Sequence, residues 1–257
     1  MVDLHSHLIW EIDDGSKSRE MTLNMLKRAI EGGTTKIVST PHFLPGYYEA
    51  PLEEVRKRIE DVKNLAKEEN LNIDIYYGQE VYYSSSLLEN YYNGYIGTIN
   101  DSRYMLIEFN MRDFSIKEAV ENIYELQLKG IVPVIAHPER YQKIIKNPSL
   151  VNEFIKEGFL FQVNMGSITG DFGKDVKKTV DLFLKNKIYS FIGSDAHRDT
   201  KRNTDMRSGT EAIKDLDRDY FNYLKASGEK LIENQEVKFK GSLIKEKKGL
   251  FGIFSRG

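Results

Sequence analysis

Seven short apolar runs, each rich in β-branched or aromatic residues, punctuate the chain: VDL (2–4), KIVST (36–40), IDIYYG (73–78), YMLIEF (104–109), IVPVIA (131–136), FLFQVN (159–164) and YSFIGS (189–194). Runs of this length and composition read as strands. Several of the intervening stretches carry helix punctuation. Ser18 precedes REMTLNMLKRAIE and Gly32-Gly33 closes it. Pro51 opens PLEEVRKRIEDVKNLAKEEN, Ser115 and Glu118 form a capping box ahead of AVENIYELQLKG, and Asn147-Pro148 opens SLVNEFIKEG. Strand then helix, repeated, confines the chain to a parallel α/β fold. With no internal repeat and no Gly/Ser-rich linker before residue 235, residues 1–234 are expected to form one barrel-like or doubly wound domain. Residues 235–257 are expected to form a separate appendage.

Composition narrows the classes of function. A chain of 257 residues with 40% hydrophobic content can bury a large core. No segment approaches the roughly 20 apolar residues of a membrane span, and no basic-then-apolar leader opens the sequence. With no cysteine, thiolate catalysis and disulfide framing are excluded, and a cytoplasmic protein is expected. The net charge is −2, and the last 23 residues hold six Lys/Arg against two Asp/Glu, which leaves −6 for residues 1–234. An acidic body without a basic groove argues against a nucleic-acid partner.

The histidines carry the chemistry. His5 and His7 lie two apart just past the first run, so in an extended strand both imidazoles project to one side. His42 follows KIVSTP, His137 follows IVPVIA and His197 follows YSFIGSDA, so all five histidines fall at or just beyond the C-terminal end of an expected strand. Carboxylates sit in equivalent places: Glu80 after IDIYYGQ, Glu108 at the end of YMLI, and Asp195 two residues before His197. In a parallel barrel these ends share one rim, where active sites of such folds are built. Imidazole mixed with carboxylate and no thiolate suits Zn²⁺, Fe²⁺ or Mn²⁺. Eight such ligands exceed the needs of one ion, so two or three ions are expected. Asp14, in IDDGS, is a ninth candidate; the alternative for it is a cap on the helix beginning near Arg19.

The motifs LHSH, TPH (40–42), GQE (78–80), LIEF (106–109), AHPERY (136–141) and GSDAH (193–197) together resemble the PHP (polymerase and histidinol phosphatase) superfamily of metal-dependent hydrolases. DDGS, AHPERY and the overall length are similar to its bacterial capsule- and exopolysaccharide-type, manganese-dependent protein-tyrosine phosphatases. The resemblance covers about residues 2–210. It implies a distorted seven-stranded (β/α) barrel of PHP type with the metal site at the C-terminal rim. It also implies a Mn²⁺ centre: one ion on His5, His7, Glu80 and Asp195, a second on Glu80, Glu108 and His137, and a third on Asp14, His42 and His197. The activity implied is hydrolysis of phosphotyrosine on a bacterial tyrosine kinase that controls capsule or exopolysaccharide synthesis, by attack of metal-activated hydroxide.

Arg140, three residues past His137, and Arg207, in the loop after His197, are the candidates for holding phosphate, because a planar guanidinium fork matches phosphate oxygens. Arg202 and Lys201 share that loop and are substitutes for Arg207. Tyr141 is a candidate wall of the site. The rival substrate is a small phosphomonoester such as histidinol phosphate, which the metal set alone does not exclude. The non-enzyme alternative, a metal-stabilised binding module, sits poorly with ligands spread over nearly 200 residues. In the tail, KEKKGLFGIF places lysines ahead of Leu250, Phe251, Ile253 and Phe254, a pattern suited to peripheral contact with an anionic membrane.

Overall fold

The computed structural model describes residues 1–245. Among the described residues, nine parallel strands form two sheets. β1 (Val2–Ser6), β2 (Lys36–Ser39) and β4 (Asp74–Tyr77) make the smaller, in that spatial order. The larger runs β3 (His42–Phe43), β5 (Glu80–Tyr82), β6 (Tyr104–Glu108), β7 (Val132–Ala136), β8 (Leu160–Asn164) and β9 (Phe191–Gly193). Every pairing is parallel, as repeated strand-then-helix connections demand.

Nine strands rather than seven appear because two of the expected runs are each followed, after a short break, by a further strand. KIVST stops at Ser39 and the chain resumes a ladder at His42; between them Pro41 has no N–H to donate. The next run stops at Tyr77 and resumes at Glu80, with Gln79 turned away to bond the backbone of Ala50, Tyr95 and Gly97. β2 and β3 are thus successive pieces of one stretch of chain, as are β4 and β5. The two sheets also meet where β1 lies beside the end of β9: Asp195 N donates to His5 O at 2.8 Å and His7 N to Ala196 O at 2.9 Å.

Helix punctuation acts as the sequence suggests. Ser18 caps Arg19–Glu31 by accepting from Met21 N, and Ser115 caps Ile116–Gln127 by accepting from Glu118 N. Pro51 stands at the N-cap of Leu52–Glu68. The stretch after Asn147 begins with a tight turn, Pro148–Leu150, before the helix Val151–Lys156. Among the described residues no helix is long and apolar enough to cross a membrane.

Side-chain alternation explains how an apolar sheet presents a polar rim. On β6, Met105 and Ile107 pack towards the helices with Ile135, Phe161 and Val163, whereas Tyr104 and Leu106 pack with Val134, Ala136 and Leu160. Glu108 is next in the second series, so it faces the same interior one residue pair further along.

As far as Lys245, the stretch after residue 234 runs along the body. Tyr104 Oη donates to Gln235 O and accepts from Val237 N, and Asn152 exchanges two bonds with the backbone of Ile244. Val237 and Ile244 are buried. This stretch is laid against the body because Val237, Phe239 and Ile244 cover apolar residues that would otherwise face water. The basic-then-apolar pattern lies outside the described residues from Glu246 onward.

Candidate metal centre

The strand register brings the candidate ligands together. His42 stands opposite Glu80 in the β3–β5 pairing, and Glu108 ends the neighbouring β6. His5 and His7 come from the end of β1, which β9 flanks with Asp195 and His197. All nine candidates converge. Glu80, fully buried, lies 3.1 Å from His5 Nε2, 3.4 Å from His7 Nε2, 3.1 Å from His42 Nδ1 and 3.0 Å from His137 Nε2. Asp14 lies 3.5 Å from His42 and 3.4 Å from His197. Glu108 stands 3.6 Å from His137 and 3.7 Å from His42.

Three groups of donor atoms lie close enough to share a cation: His5, His7, Glu80 and Asp195; His7, Asp14, His42 and His197; and His42, Glu80 and Glu108, each set within 4.8 Å. Asp14 is not a helix cap, since Ser18 holds that place.

The donor chemistry fits divalent metal. His7 Nδ1 is bonded to Asp13 Oδ2 at 2.7 Å and His5 Nδ1 to Gln162 Oε1 at 3.0 Å. Both partners are acceptors, so each ring keeps its proton on Nδ1 and presents an Nε2 lone pair. Those two Nε2 atoms face each other at 3.2 Å, an arrangement that a cation relieves. In addition Asp14 Oδ1, His42 Nδ1, Glu80 Oε2 and His137 Nδ1 are buried without a hydrogen-bond partner. Buried polar atoms are rarely left so.

Crowding of charge shows in the proton affinities. Burial opposes ionisation of Glu80, yet His5 and His42 hold its carboxyl well below the usual range. Burial together with Glu80 and Asp195 pushes Glu108 well above it. Burial, helped by Arg140, lowers His137 to about 4, which keeps its imidazole neutral and able to ligate.

Two candidate-ligand positions use left-handed backbone, with φ +30° at His137 and +51° at Asp195. Such conformations in residues with a side chain persist only where the surroundings enforce them. Here Gln162 accepts from His137 N, and Asp195 is held by Asn164 Nδ2 at 2.7 Å. Space is equally constrained. A Cβ on Gly15 would come within 2.3 Å of His7 Cβ, and one on Gly193 within 2.6 Å of His5 Cβ.

The arginines divide. Arg140 Nη1 donates to Asp195 Oδ2 at 2.6 Å and its side chain is 17% exposed, at the edge of the cluster. Arg207 is not brought to the cluster: its Nε donates to Asp205 Oδ1 and Oδ2 at 2.9 and 3.0 Å, and its side chain is 57% exposed. Arg202, from the same loop, reaches the cluster instead, with Nη2 2.8 Å from Asp195 Oδ1. Lys201 is exposed. Tyr141 is wholly buried, its Oη donating to Ala136 O and accepting from Phe109 N, so it packs behind His137 instead of lining an opening.

Asp13, Gln162 and Asn164 are the functional residues the sequence reading passed over. Asp13 orients His7 and also accepts from His42 N and Gly15 N, so the DDG triplet supplies one inward-facing candidate ligand and one buried brace. Asp13→Ala is expected to weaken divalent-metal binding by about 10- to 100-fold, the usual cost of removing a ligand's orienting partner, as measured by calorimetric titration of the metal-stripped chain.

Comparison with known proteins follows the same lines. The family model described as capsular polysaccharide synthesis, CpsB/CapC, matches residues 1–233. The tyrosine-protein phosphatase CpsB of Streptococcus pneumoniae is 35% identical over 218 residues, 83% of this chain and 89% of that protein. The tyrosine-protein phosphatase YwqE of Bacillus subtilis is 30% identical over 258 residues, 99% of this chain and 100% of that protein. A crystal structure from work on YwqE and CpsB, described as unique metal-dependent tyrosine phosphatases, superposes with a TM-score of 0.91 at 29% identity, covering 96% of this chain and 100% of that one. The histidinol phosphate phosphatase of Lactococcus lactis, solved with zinc, L-histidinol and phosphate, shares the fold alone: TM-score 0.52 at 15% identity, over 84% of this chain and 92% of that one. On the match over residues 1–233 and the identity spread along almost the whole chain, the protein belongs to the CpsB/CapC family of capsular polysaccharide synthesis.

Proposed function

We infer that this protein is a metal-dependent protein-tyrosine phosphatase of capsule or exopolysaccharide synthesis, acting in the cytoplasm on phosphotyrosine of a bacterial tyrosine kinase. The observation that carries the reading is the convergence of five histidines and four carboxylates beside two guanidinium groups, in a chain whose relatives are named tyrosine-protein phosphatases. The chain is read as one distorted seven-stranded barrel, each broken run counting as a single strand.

His5, His7, Glu80 and Asp195 would hold one ion, Glu80, Glu108 and His137 a second, and Asp14, His42 and His197 a third, with Mn²⁺ the expected metal. Bound divalent ions neutralise a phosphate dianion and lower the pKa of bound water from 15.7 towards about 7. Arg140 and Arg202 each use one recorded donor on Asp195, and a guanidinium carries five N–H groups, which leaves donors for phosphoryl oxygens. A departing phenolate, with a pKa near 10, needs little help from a protein acid.

Side-by-side kinetics on a phosphotyrosyl peptide and histidinol phosphate test the reading. Metal-dependent turnover with kcat/KM favouring the peptide is expected; a preference for histidinol phosphate would transfer the chain to the small-phosphomonoester class. Metal analysis at one ion per chain with no turnover would leave a metal-stabilised binding module.

A further inference from the structure

Outside the ligand cluster, one aromatic side chain touches both arginines. Arg140 Cζ lies 4.3 Å from the centre of the Phe172 ring, and Arg202 Cζ lies 5.9 Å from it. The two arginines come from distant parts of the chain, one following β7 and the other following β9. They converge on opposite oxygens of Asp195 and on this one ring. Two like charges brought together repel, and the negative face of an aromatic ring offsets that repulsion.

The ring is placed by a purpose-shaped turn. Phe172 is half-buried in TGDFGKD between Gly170 and Gly173, whose φ values of +91° and +94° few other residues adopt. Asp171 N donates to Gly166 O and Gly173 N to Gly170 O, closing the turn. The ring then lies over Gly166, where a Cβ would meet Phe172 Cε2 at 2.8 Å. Gly166 belongs to the short helix Met165–Thr169, which is capped by Asn164, the residue that also holds Asp195. Ring, arginines and carboxylate are therefore braced by one local unit.

Resting on the phosphate-holding role inferred for the arginines, we propose that Phe172 is a positioning residue that fixes Arg140 and Arg202 side by side for phosphate. A ring suits this task better than a second carboxylate. A carboxylate would occupy N–H donors, whereas contact through the guanidinium face leaves the in-plane donors free.

The test is calorimetric titration of the Mn²⁺-loaded chain with inorganic phosphate, alongside aryl phosphate kinetics, metal content and Tm. Phe172→Leu keeps an apolar cover but removes the ring's quadrupole. It is expected to weaken phosphate binding and lower kcat/KM by roughly 10-fold each, with metal content unchanged. Phe172→Tyr, which retains the ring, is expected to stay within about 2-fold of the parent. Unchanged phosphate affinity in Phe172→Leu overturns the proposal, as does equal loss in Phe172→Tyr or a loss that follows departure of metal. Should Phe172→Leu fail to fold, Phe172→Met carries the same comparison. If the parent chain binds phosphate yet hydrolyses no phosphotyrosine, the phosphatase reading fails while the role of Phe172 is still decided by the affinities.

Discussion

Glu80→Ala is expected to lower turnover of a phosphotyrosyl peptide by roughly 10³-fold or more, because several kcal/mol of charge stabilisation in the transition state would rest on the ions this carboxylate is proposed to hold. Glu80 sits among four imidazoles. Its two oxygens lie within 3.4 Å of His5, His7, His42 and His137, and one of them has no hydrogen bond. Removing it strips the shared anion from between four imidazoles, so metal content measured by elemental analysis should fall together with turnover. The fold should survive, since the apolar clusters beneath the rim are untouched and the strands keep their ladders. Chelation of the parent protein should have the same effect on activity and be reversed by Mn²⁺. Full turnover in Glu80→Ala, or in excess chelator after long dialysis, would falsify the assigned centre.

Arg140→Ala is expected to lower kcat/KM by about 10²- to 10³-fold, the scale seen when one donor to a developing oxyanion is removed. Arg140→Lys should recover little, because an ammonium cannot reproduce the planar fork. Asp195 keeps Asn164 and Arg202 as partners in the variant, so metal content should remain at the parent level. Arg207→Ala is the internal control. Its guanidinium is already committed to Asp205 at the surface, and exposed pairs of that kind contribute about 0–1 kcal/mol, so kcat/KM should stay within about 3-fold of the parent. An Arg207→Ala loss as large as that of Arg140→Ala would show that the loop after His197 reorganises when phosphate binds. An unchanged kcat/KM in Arg140→Ala with intact metal would reduce Arg140 to a clasp on Asp195.

The fold class and the cluster were legible for one reason: strand ends in a parallel sheet share a rim, so ligands can be collected from position relative to apolar runs, without knowing the three-dimensional path. His5, Glu108, His137 and Asp195 obey that rule at strand ends, while His42 and Glu80 follow apolar runs but open the short strands β3 and β5. What eluded the sequence lacks such periodicity. Asp13 and Asp14 are adjacent identical residues, and only the path of the loop sends one to brace His7 and the other towards His42 and His197. Arg202 and Arg207 lie five apart in an irregular loop, where spacing says nothing about direction. Gln162 and Asn164 look like ordinary polar residues at the end of a strand until their amides are seen holding His5 and Asp195. The packing of the stretch after residue 234 was not legible for another reason: its charge differs from the body's, and buried anchors as sparse as Val237 and Ile244 leave little trace in composition.

The seam between β1 and the end of β9 carries a temporal consequence. His5 and Asp195 belong to the same donor group although 190 positions separate them, and Asp195 N bonds directly to His5 O. Ions seated there would crosslink the start of the chain to the segment after β9, a link available only once everything between has been synthesised. During synthesis at roughly 5–20 residues per second, the first histidines wait on the order of ten to forty seconds for their carboxylate partner. A chain stalled before that point presents imidazoles but no centre. Enzymatic competence therefore arrives late and all at once, so a truncated or half-made copy is catalytically silent.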